Sequence, residues 1–185
     1  MIIVFLDRDG VINENKPNNY VKSWDEFAFI PGAKEALRRL AETDGVKIFV
    51  VSNQAAIGKG LVSAARVEEI NSQMKRAIEA AGGRIDGILY CPHKMEDGCP
   101  DRKPEPGLLL RVLKQNGHYV QKRFMVGDAL SDVVAGKKAA AVAILVKTGR
   151  GRDEMMSIRD DDSKPDYIAE DISEAADIIL QDIRE

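Results

Sequence analysis

The sequence predicts an α/β fold: one central, mainly parallel sheet held between two layers of helices. Three observations predict it. Short apolar runs rich in β-branched residues recur along the chain, as in strands buried on both faces. Between them lie stretches whose apolar residues fall at i, i+3 and i+4, the spacing of a helix with one buried face. Several of the apolar runs end in a cluster of polar residues, and in sheets of this kind ligands bind beyond the carboxyl ends of the strands.

Ile2 to Leu6 is the first strand, ended by Asp7-Arg8-Asp9. Asp9 to Asp25, with Asn13, Asn15, Pro17, Asn18 and Asn19, is a long loop of the kind that is often functional. Pro31-Gly32 opens a helix whose Ala33, Ala36, Leu37 and Leu40 share one face. Val46 to Val51 is the second strand and runs into Ser52-Asn53-Gln54. Ser63 caps a long helix with Val67, Ile70, Met74, Ala77, Ile78 and Ala81 on its apolar face, stopped by Gly82-Gly83. Ile88 to Tyr90 is a short third strand, and Cys91 to Glu105 a loop dense in special residues. Pro106 and Gly117 bracket the next helix, and His118 beside it reads as a solvent-exposed helix end. Phe124 to Val126 is the fourth strand, ending at Gly127-Asp128, and Ser131 caps a helix that runs to about Ala140. Val142 to Val146 is the fifth strand, Lys147 to Pro165 a polar loop containing Thr148-Gly149-Arg150-Gly151, Tyr167-Ile168 a last edge strand and Ile172 to Ile183 a terminal helix. The alternation is Rossmann-like, in three layers α/β/α.

The 185 residues are enough for one domain, spanning 1–185, with a core that needs no staple. With 27 basic and 30 acidic side chains the formal charge is −3, which excludes a broadly basic surface for nucleic acid or anionic membrane but not a local cationic pocket. Two cysteines make no disulfide framework and point to a reducing compartment. Met1 to Leu6 is apolar without a basic leader, and no apolar run nears the ~18 residues of a membrane helix. A cytoplasmic monomer without nucleic-acid or membrane partners is expected. There is no internal repeat.

Four strand ends carry chemistry: Asp7 and Asp9, Ser52 and Asn53, Arg102 and Lys103 after the third strand and its loop, then Asp128 with Asp132 one turn on. Crowded carboxylates repel unless a cation sits among them, and a hard ion such as Mg²⁺ suits oxygen ligands. A hydroxyl, backbone N–H groups and a lysine suit a phosphoryl group. Together they read as a Mg²⁺-dependent phosphate site. Asp7-Arg8-Asp9-Gly10 could also open a calcium loop, but that loop needs flanking helices and here a buried strand precedes it. A receiver-like phospho-acceptor domain, the non-enzyme alternative, also gathers acids, a hydroxyl and a lysine at strand ends. Its acceptor Asp follows the third strand, where this chain has Cys91.

Asp7-Arg8-Asp9-Gly10-Val11, Ser52-Asn53-Gln54, Arg102-Lys103-Pro104 and Gly127-Asp128-x-x-x-Asp132 resemble the four motifs of the haloacid-dehalogenase-like phosphatase superfamily, from the first strand to about Gly151. Asp-Arg-Asp-Gly-Val-Ile-Asn, Cys-Pro-His and Arg-Lys-Pro-x-Pro-Gly are closer still to the heptose bisphosphate phosphatases and the related histidinol-phosphate phosphatases. The resemblance implies Asp7 as nucleophile, forming an aspartyl phosphate, and Asp9 as acid to the leaving group, then base to water. It implies Mg²⁺ on Asp7, the backbone carbonyl of Asp9 and Asp128, Ser52 and Lys103 on the phosphoryl oxygens, and Asp132 orienting Lys103 or a metal-bound water.

Cys91-x-His93, then Cys99-x-Asp101, is compact enough to wrap a tetrahedral Zn²⁺. The resembling enzymes have Cys-x-Cys in the second half, so Asp101 stands where a cysteine would. The expected site over 91–101 is Cys91, His93, Cys99 and Asp101, shaping the loop that delivers Arg102 and Lys103. A metal-free loop and a Cys91–Cys99 disulfide are the alternatives.

Neither the stretch from Asp9 to Ser52 nor that from Ser52 to Lys103 has room for a separate cap domain, so the crevice is expected to be open, with loops meeting the substrate. Asn13 and Tyr20, Asn53 and Gln54, and Arg102 are the candidate contacts, Arg102 for a second phosphate. The wording around Tyr20 to Gly32 and Arg102 to Gly107 resembles the heptose enzymes, implying removal of the C7 phosphate of a heptose bisphosphate. Histidinol phosphate, or another small sugar phosphate, is the alternative substrate.

Overall fold

The computed structural model describes residues 1–16 and 19–184. Pro17 and Asn18 of the first loop lie outside the described residues, as does the His118 side chain. Six strands, β1 (Ile2–Leu6), β2 (Val46–Asn53), β3 (Gly87–Cys91), β4 (Lys122–Gly127), β5 (Val142–Val146) and β6 (Tyr167–Ala169), form one sheet in the order β3-β2-β1-β4-β5-β6. Every neighbouring pair is parallel. The helices are α1 (Ala33–Ala41), α2 (Ala55–Gly58), α3 (Ala64–Ala80), α4 (Gly107–Asn116), α5 (Leu130–Lys138), α6 (Gly151–Met155) and α7 (Ile172–Arg184).

The all-apolar β1 follows from burial on both faces. Val4 and Leu6 join Ile48, Val50, Phe124 and Val126 under Leu37 and Leu40 of α1, Met74 and Ile78 of α3, and Ile172 and Ile179 of α7. Ile3 and Phe5 join Phe49, Val51 and Met125 under Leu108, Leu109 and Val112 of α4 and Ala135 of α5. Alternate residues of one strand thus feed two cores, as the period of two requires.

The connections turn in opposite directions on either side of β1: β2 and β3 lie to one side, β4 to β6 to the other. Such a switch point leaves a crevice at the carboxyl ends of the central strands. The segment between β1 and β2 holds one loop, a short 3₁₀ turn and α1, and that between β2 and β3 holds α2 and α3, so the described residues form no separate cap domain.

Local departures from the sequence reading have simple causes. The helices α2 and α6 are four and five residues long, too short for a periodic signal. The helix α5 begins after Ala129 rather than Ser131, and Asp132 Oδ2 accepts the Ala129 N–H at 3.1 Å, so an acid at the third helical position does the capping. Ser63 does cap α3, accepting from the Arg66 N–H at 3.2 Å.

Candidate active site

Each strand end brings one part of the site. Asp7 follows β1 and its N–H donates to Val126 O of β4 at 2.9 Å, which ties it to the neighbouring strand. Its Oδ1 accepts the Arg8 N–H at 2.7 Å and lies 3.2 Å from Lys103 Nζ. Lys103 is 2% exposed, and its Nζ also meets Asp132 Oδ1 at 2.6 Å and donates to Val51 O at 2.7 Å. The lysine comes from a loop, and Asn53 fixes that loop to β2: Asn53 Nδ2 donates to Lys103 O at 2.9 Å, and Lys103 N–H donates to Asn53 Oδ1 at 3.1 Å. Asn53 therefore anchors the lysine's backbone with both ends of its amide.

Asp9 is surrounded by donors. Arg8 Nε and Nη2 reach its Oδ2 at 3.2 and 2.9 Å, Gln54 Nε2 donates to the same oxygen at 2.9 Å, and Asn13 Nδ2 donates to Oδ1 at 2.9 Å. Burial works to raise its pKa, but Arg8, Asn13 and Gln54 favour the anion and hold it below the ordinary value. Gln54 also donates to Ser52 Oγ at 2.8 Å, joining that hydroxyl to the same network. Asn13 and Gln54, read from sequence as substrate contacts, spend their amides on Asp9.

Asp128, 1% exposed, is wrapped by backbone. Gly10 (φ +87°) and Gly149 (φ +57°) close on it, and a Cβ at either position would overlap Asp128 Oδ2. That oxygen accepts the Arg150 N–H at 2.9 Å, and Thr148 Oγ1 donates to Gly10 O at 2.6 Å, holding the two glycine turns together. The other oxygen, Oδ1, is buried without a hydrogen-bond partner.

Carboxylate oxygens of Asp7, Asp128 and Asp132 lie within 4.8 Å of one another. Burial raises the pKa of Asp7 to about 6, with Lys103 opposing and Asp132 and Asp9 adding to the rise. Burial, then Asp7 and Asp132, raises Asp128 to about 7. Burial works against the charge on Lys103, but Asp132 and Asp7 hold its pKa above the ordinary value, so it stays a cation. One lysine does not neutralise three clustered acids. The orphaned Asp128 Oδ1 and the raised carboxylates fit a hard divalent ion such as Mg²⁺.

Asp7, Asp9, Ser52, Lys103 and Asp132 lie at the floor of a crevice of about 1360 Å³, with Asp128 buried behind them. Tyr20, Lys59, Arg102 and Arg150 line its rim, with Glu14, Asp153 and Glu154 among them. Lys59 Nζ donates to Tyr20 Oη at 3.0 Å, and Arg102 Nη1 donates to His93 O at 3.1 Å.

Cys91, His93 and Cys99 bring their donor atoms within 4.8 Å of one another, and Cys91 Sγ lies 3.7 Å from His93 Nδ1. Neither cysteine is in a disulfide, and burial pushes the Cys91 thiol up to about 11. The set of two sulfurs and an imidazole fits Zn²⁺. Asp101 is not in this cluster; its carboxylate pairs with Arg111 of α4 instead. The carboxylate expected as the fourth ligand thus lies on a cation of the next helix, outside the cluster.

Sequence reasoning left three elements without a role. Arg8 lies inside the first motif, yet its side chain is buried and works behind the site. Asn71, a buried amide on the apolar face of α3, accepts from Arg8 Nη1 at 3.0 Å, and a polar residue beside Val67, Ile70 and Met74 was the readable signal. The turn Thr148 to Arg150 reads only as a polar loop, because what it encloses is 20 residues away in sequence at Asp128, too far for any local pattern.

The family model described as HAD-hydrolase-like matches residues 101–175. The chain is 34% identical over 184 residues to D-glycero-beta-D-manno-heptose-1,7-bisphosphate 7-phosphatase of Bordetella bronchiseptica, covering 98% of this chain and 99% of that one. It is 40% identical over 141 residues to D-glycero-alpha-D-manno-heptose-1,7-bisphosphate 7-phosphatase of Mycobacterium bovis, covering 76% and 74%. The crystal structure of the D,D-heptose 1,7-bisphosphate phosphatase from B. bronchiseptica, complexed with magnesium and phosphate, superposes with a TM-score of 0.91 at 34% identity, over 98% of this chain and 99% of that one.

Proposed function

The chain belongs to the heptose-1,7-bisphosphate 7-phosphatase family of haloacid-dehalogenase-like hydrolases, and from that premise we propose that it removes the C7 phosphate of D-glycero-D-manno-heptose 1,7-bisphosphate through an aspartyl phosphate on Asp7. The observation that carries this reading is the convergence of Asp7, Lys103 and Asp132 at the floor of one open crevice, with Asp128 buried against them. Asp7, Asp128 and the Asp9 backbone carbonyl would hold magnesium, whose charge would neutralise the phosphoryl oxygens and keep the nucleophile ionised.

In this reading Asp7 attacks phosphorus in line. The bond from phosphorus to the C7 oxygen breaks, and its electron pair leaves on that oxygen. Asp9, which must carry a proton into this step against the pull of Arg8, Asn13 and Gln54, gives the oxygen that proton, so the sugar departs as an alcohol. Water then attacks the aspartyl phosphate, Asp9 takes the water's proton, and the Asp7 carboxylate is restored. The ionised Asp9 that its donors favour is the form the second step needs. Lys103 and Ser52 hold the phosphoryl oxygens where charge builds. Asp132 holds Lys103 in place.

The open crevice suits an extended bisphosphate, with Arg102 and Tyr20 meeting its far end. No helix of the described residues is long and apolar enough to cross a membrane, and unbridged Cys91 and Cys99 suit a cytoplasmic setting. Zn²⁺ is assigned to Cys91, His93 and Cys99, where it would shape the turn that leads into Arg102 and Lys103.

A second reading has its own observation. Glu14, Asp153 and Glu154 line the crevice, and acids there suit the imidazolium of histidinol phosphate. Phosphate release from both anomers of heptose 1,7-bisphosphate and from histidinol phosphate separates the two. Higher kcat/KM on a heptose bisphosphate is expected; equal or higher kcat/KM on histidinol phosphate overturns the substrate choice.

A further inference from the structure

Arg8 has no part in the chemistry above, yet it is among the largest fully buried side chains, at 1% exposure. All three of its guanidinium nitrogens are engaged. Nε and Nη2 grip the Asp9 carboxylate, Nη2 also reaches Gln54 Oε1 at 3.2 Å, and Nη1 donates to Asn71 Oδ1 at 3.0 Å. Arg8, Gln54 and Asp9 close a ring, because Gln54 Nε2 donates back to Asp9 Oδ2 at 2.9 Å. Asn71 lies outside that ring. It stands on α3, 63 residues from Arg8, buried on a face that is otherwise apolar.

A buried amide on an apolar helix face costs free energy unless it is bonded, and here its carbonyl oxygen is given to the one arginine nitrogen that Asp9 and Gln54 leave free. A planar guanidinium held at the edge away from its partner carboxylate cannot rotate, so the carboxylate it grips is also fixed in plane. We propose that Arg8 and Asn71 are positioning residues: through the guanidinium fork they fix the plane of the Asp9 carboxylate against the leaving oxygen without touching substrate. The proposal rests on Asp9 being the acid and base of the reaction.

The test compares leaving groups. An alkyl phosphate must leave as an alkoxide and needs the proton from Asp9, whereas p-nitrophenolate is a stable anion and leaves without it. The ratio of kcat/KM on heptose bisphosphate to kcat/KM on p-nitrophenyl phosphate therefore reads the alignment of Asp9, and a loss of folded protein lowers both terms equally. In Asp9→Asn the ratio is expected to fall about 100-fold or more, the size of a general-acid contribution. In Asn71→Leu it should fall about tenfold, with p-nitrophenyl phosphate activity changed less than about threefold. Arg8→Lys, which keeps the buried charge but loses the fork, should fall further than Asn71→Leu and gives the same readout if Asn71→Leu does not fold. If Asp9→Asn leaves the ratio unchanged, the acid–base reading of Asp9 fails. If Asp9→Asn lowers the ratio but Asn71→Leu and Arg8→Lys lose both activities in proportion, the positioning role alone is overturned.

Discussion

At the floor of the crevice Asp7, Lys103 and Asp132 are buried and cross-bonded, with Asp128 buried against them, whereas at its rim Tyr20 and Arg102 are half-buried and Lys59 and Arg150 exposed, all on loops or short turns. The floor is assembled from strand ends whose register is set by two hydrophobic cores. The rim is held by single contacts such as Lys59 to Tyr20 and Arg102 to the His93 carbonyl. The difference separates two tasks. Phosphoryl chemistry needs groups held within a fraction of an ångström, and rigid elements give that. Choice among substrates is made on loops that can vary without moving the floor.

Substitution at the floor should therefore damage chemistry and fold together. Lys103→Met leaves Asp7 and Asp132 buried without their cation, so it should lower phosphate release from every substrate by about 10²–10³-fold. It should also destabilise the protein by about 3–5 kcal/mol, read by urea unfolding. Loss of activity with unchanged stability would mean that the ion pairs do not hold the floor together.

Substitution at the rim should separate substrates instead. Arg102→Ala should lower kcat/KM on heptose bisphosphate by about tenfold to 100-fold, equivalent to one charge-assisted contact, and leave p-nitrophenyl phosphate nearly unchanged. Equal losses on both would move Arg102 from the rim's task to the floor's.

The pH dependence of the floor has a definite sign. Asp7 and Asp128 have pKa values raised from 3.8 to about 6 and about 7, so without metal the folded protein binds more protons than the unfolded chain between those values. Metal-free stability should then fall as pH rises from about 4 to about 7. Magnesium competes with those protons, so its affinity and its stabilising effect should grow over pH 6 to 7, with proton release on binding. Calorimetric titration in two buffers checks this; affinity that is flat across the window contradicts the assignment of Asp7 and Asp128 as the metal carboxylates.

The smallest effect is expected beside the rim, in the loop that leads into Arg102. Asp101 pairs with Arg111 and stands outside the cysteine cluster, so Asp101→Ala should change zinc affinity less than about threefold, well within one decade on the free-energy scale. A tenfold or larger loss would restore Asp101 as a ligand, and wild-type protein grown with zinc yet containing none would remove the site.

The same division governs what could be read from the sequence. The floor was legible because strand ends in a parallel sheet converge, so Asp7, Ser52, Lys103 and Asp128 could be gathered from four apolar runs and their polar stops. The direction in which a side chain turns was not. Asn53 and Gln54 line the crevice, as the strand-end pattern predicts, but one amide also holds the Lys103 backbone and the other holds Asp9 and Ser52. Asp101 had the right spacing for a metal ligand, but Arg111, ten residues on, captures it. Each of these outcomes depends on a partner brought close by the fold, which no local pattern records.

In the proposed reaction the Asp7 carboxylate itself attacks phosphorus. Rapid acid quench of the magnesium-loaded protein during turnover of heptose bisphosphate labelled with ³²P at C7 tests it most directly. Label should be retained on a peptide containing Asp7, released by hydroxylamine as an acyl phosphate is, and absent in Asp7→Asn, whose phosphate release should drop at least about 100-fold. Label on another residue, or Asp7→Asn turnover above about a hundredth of wild type, would contradict the account.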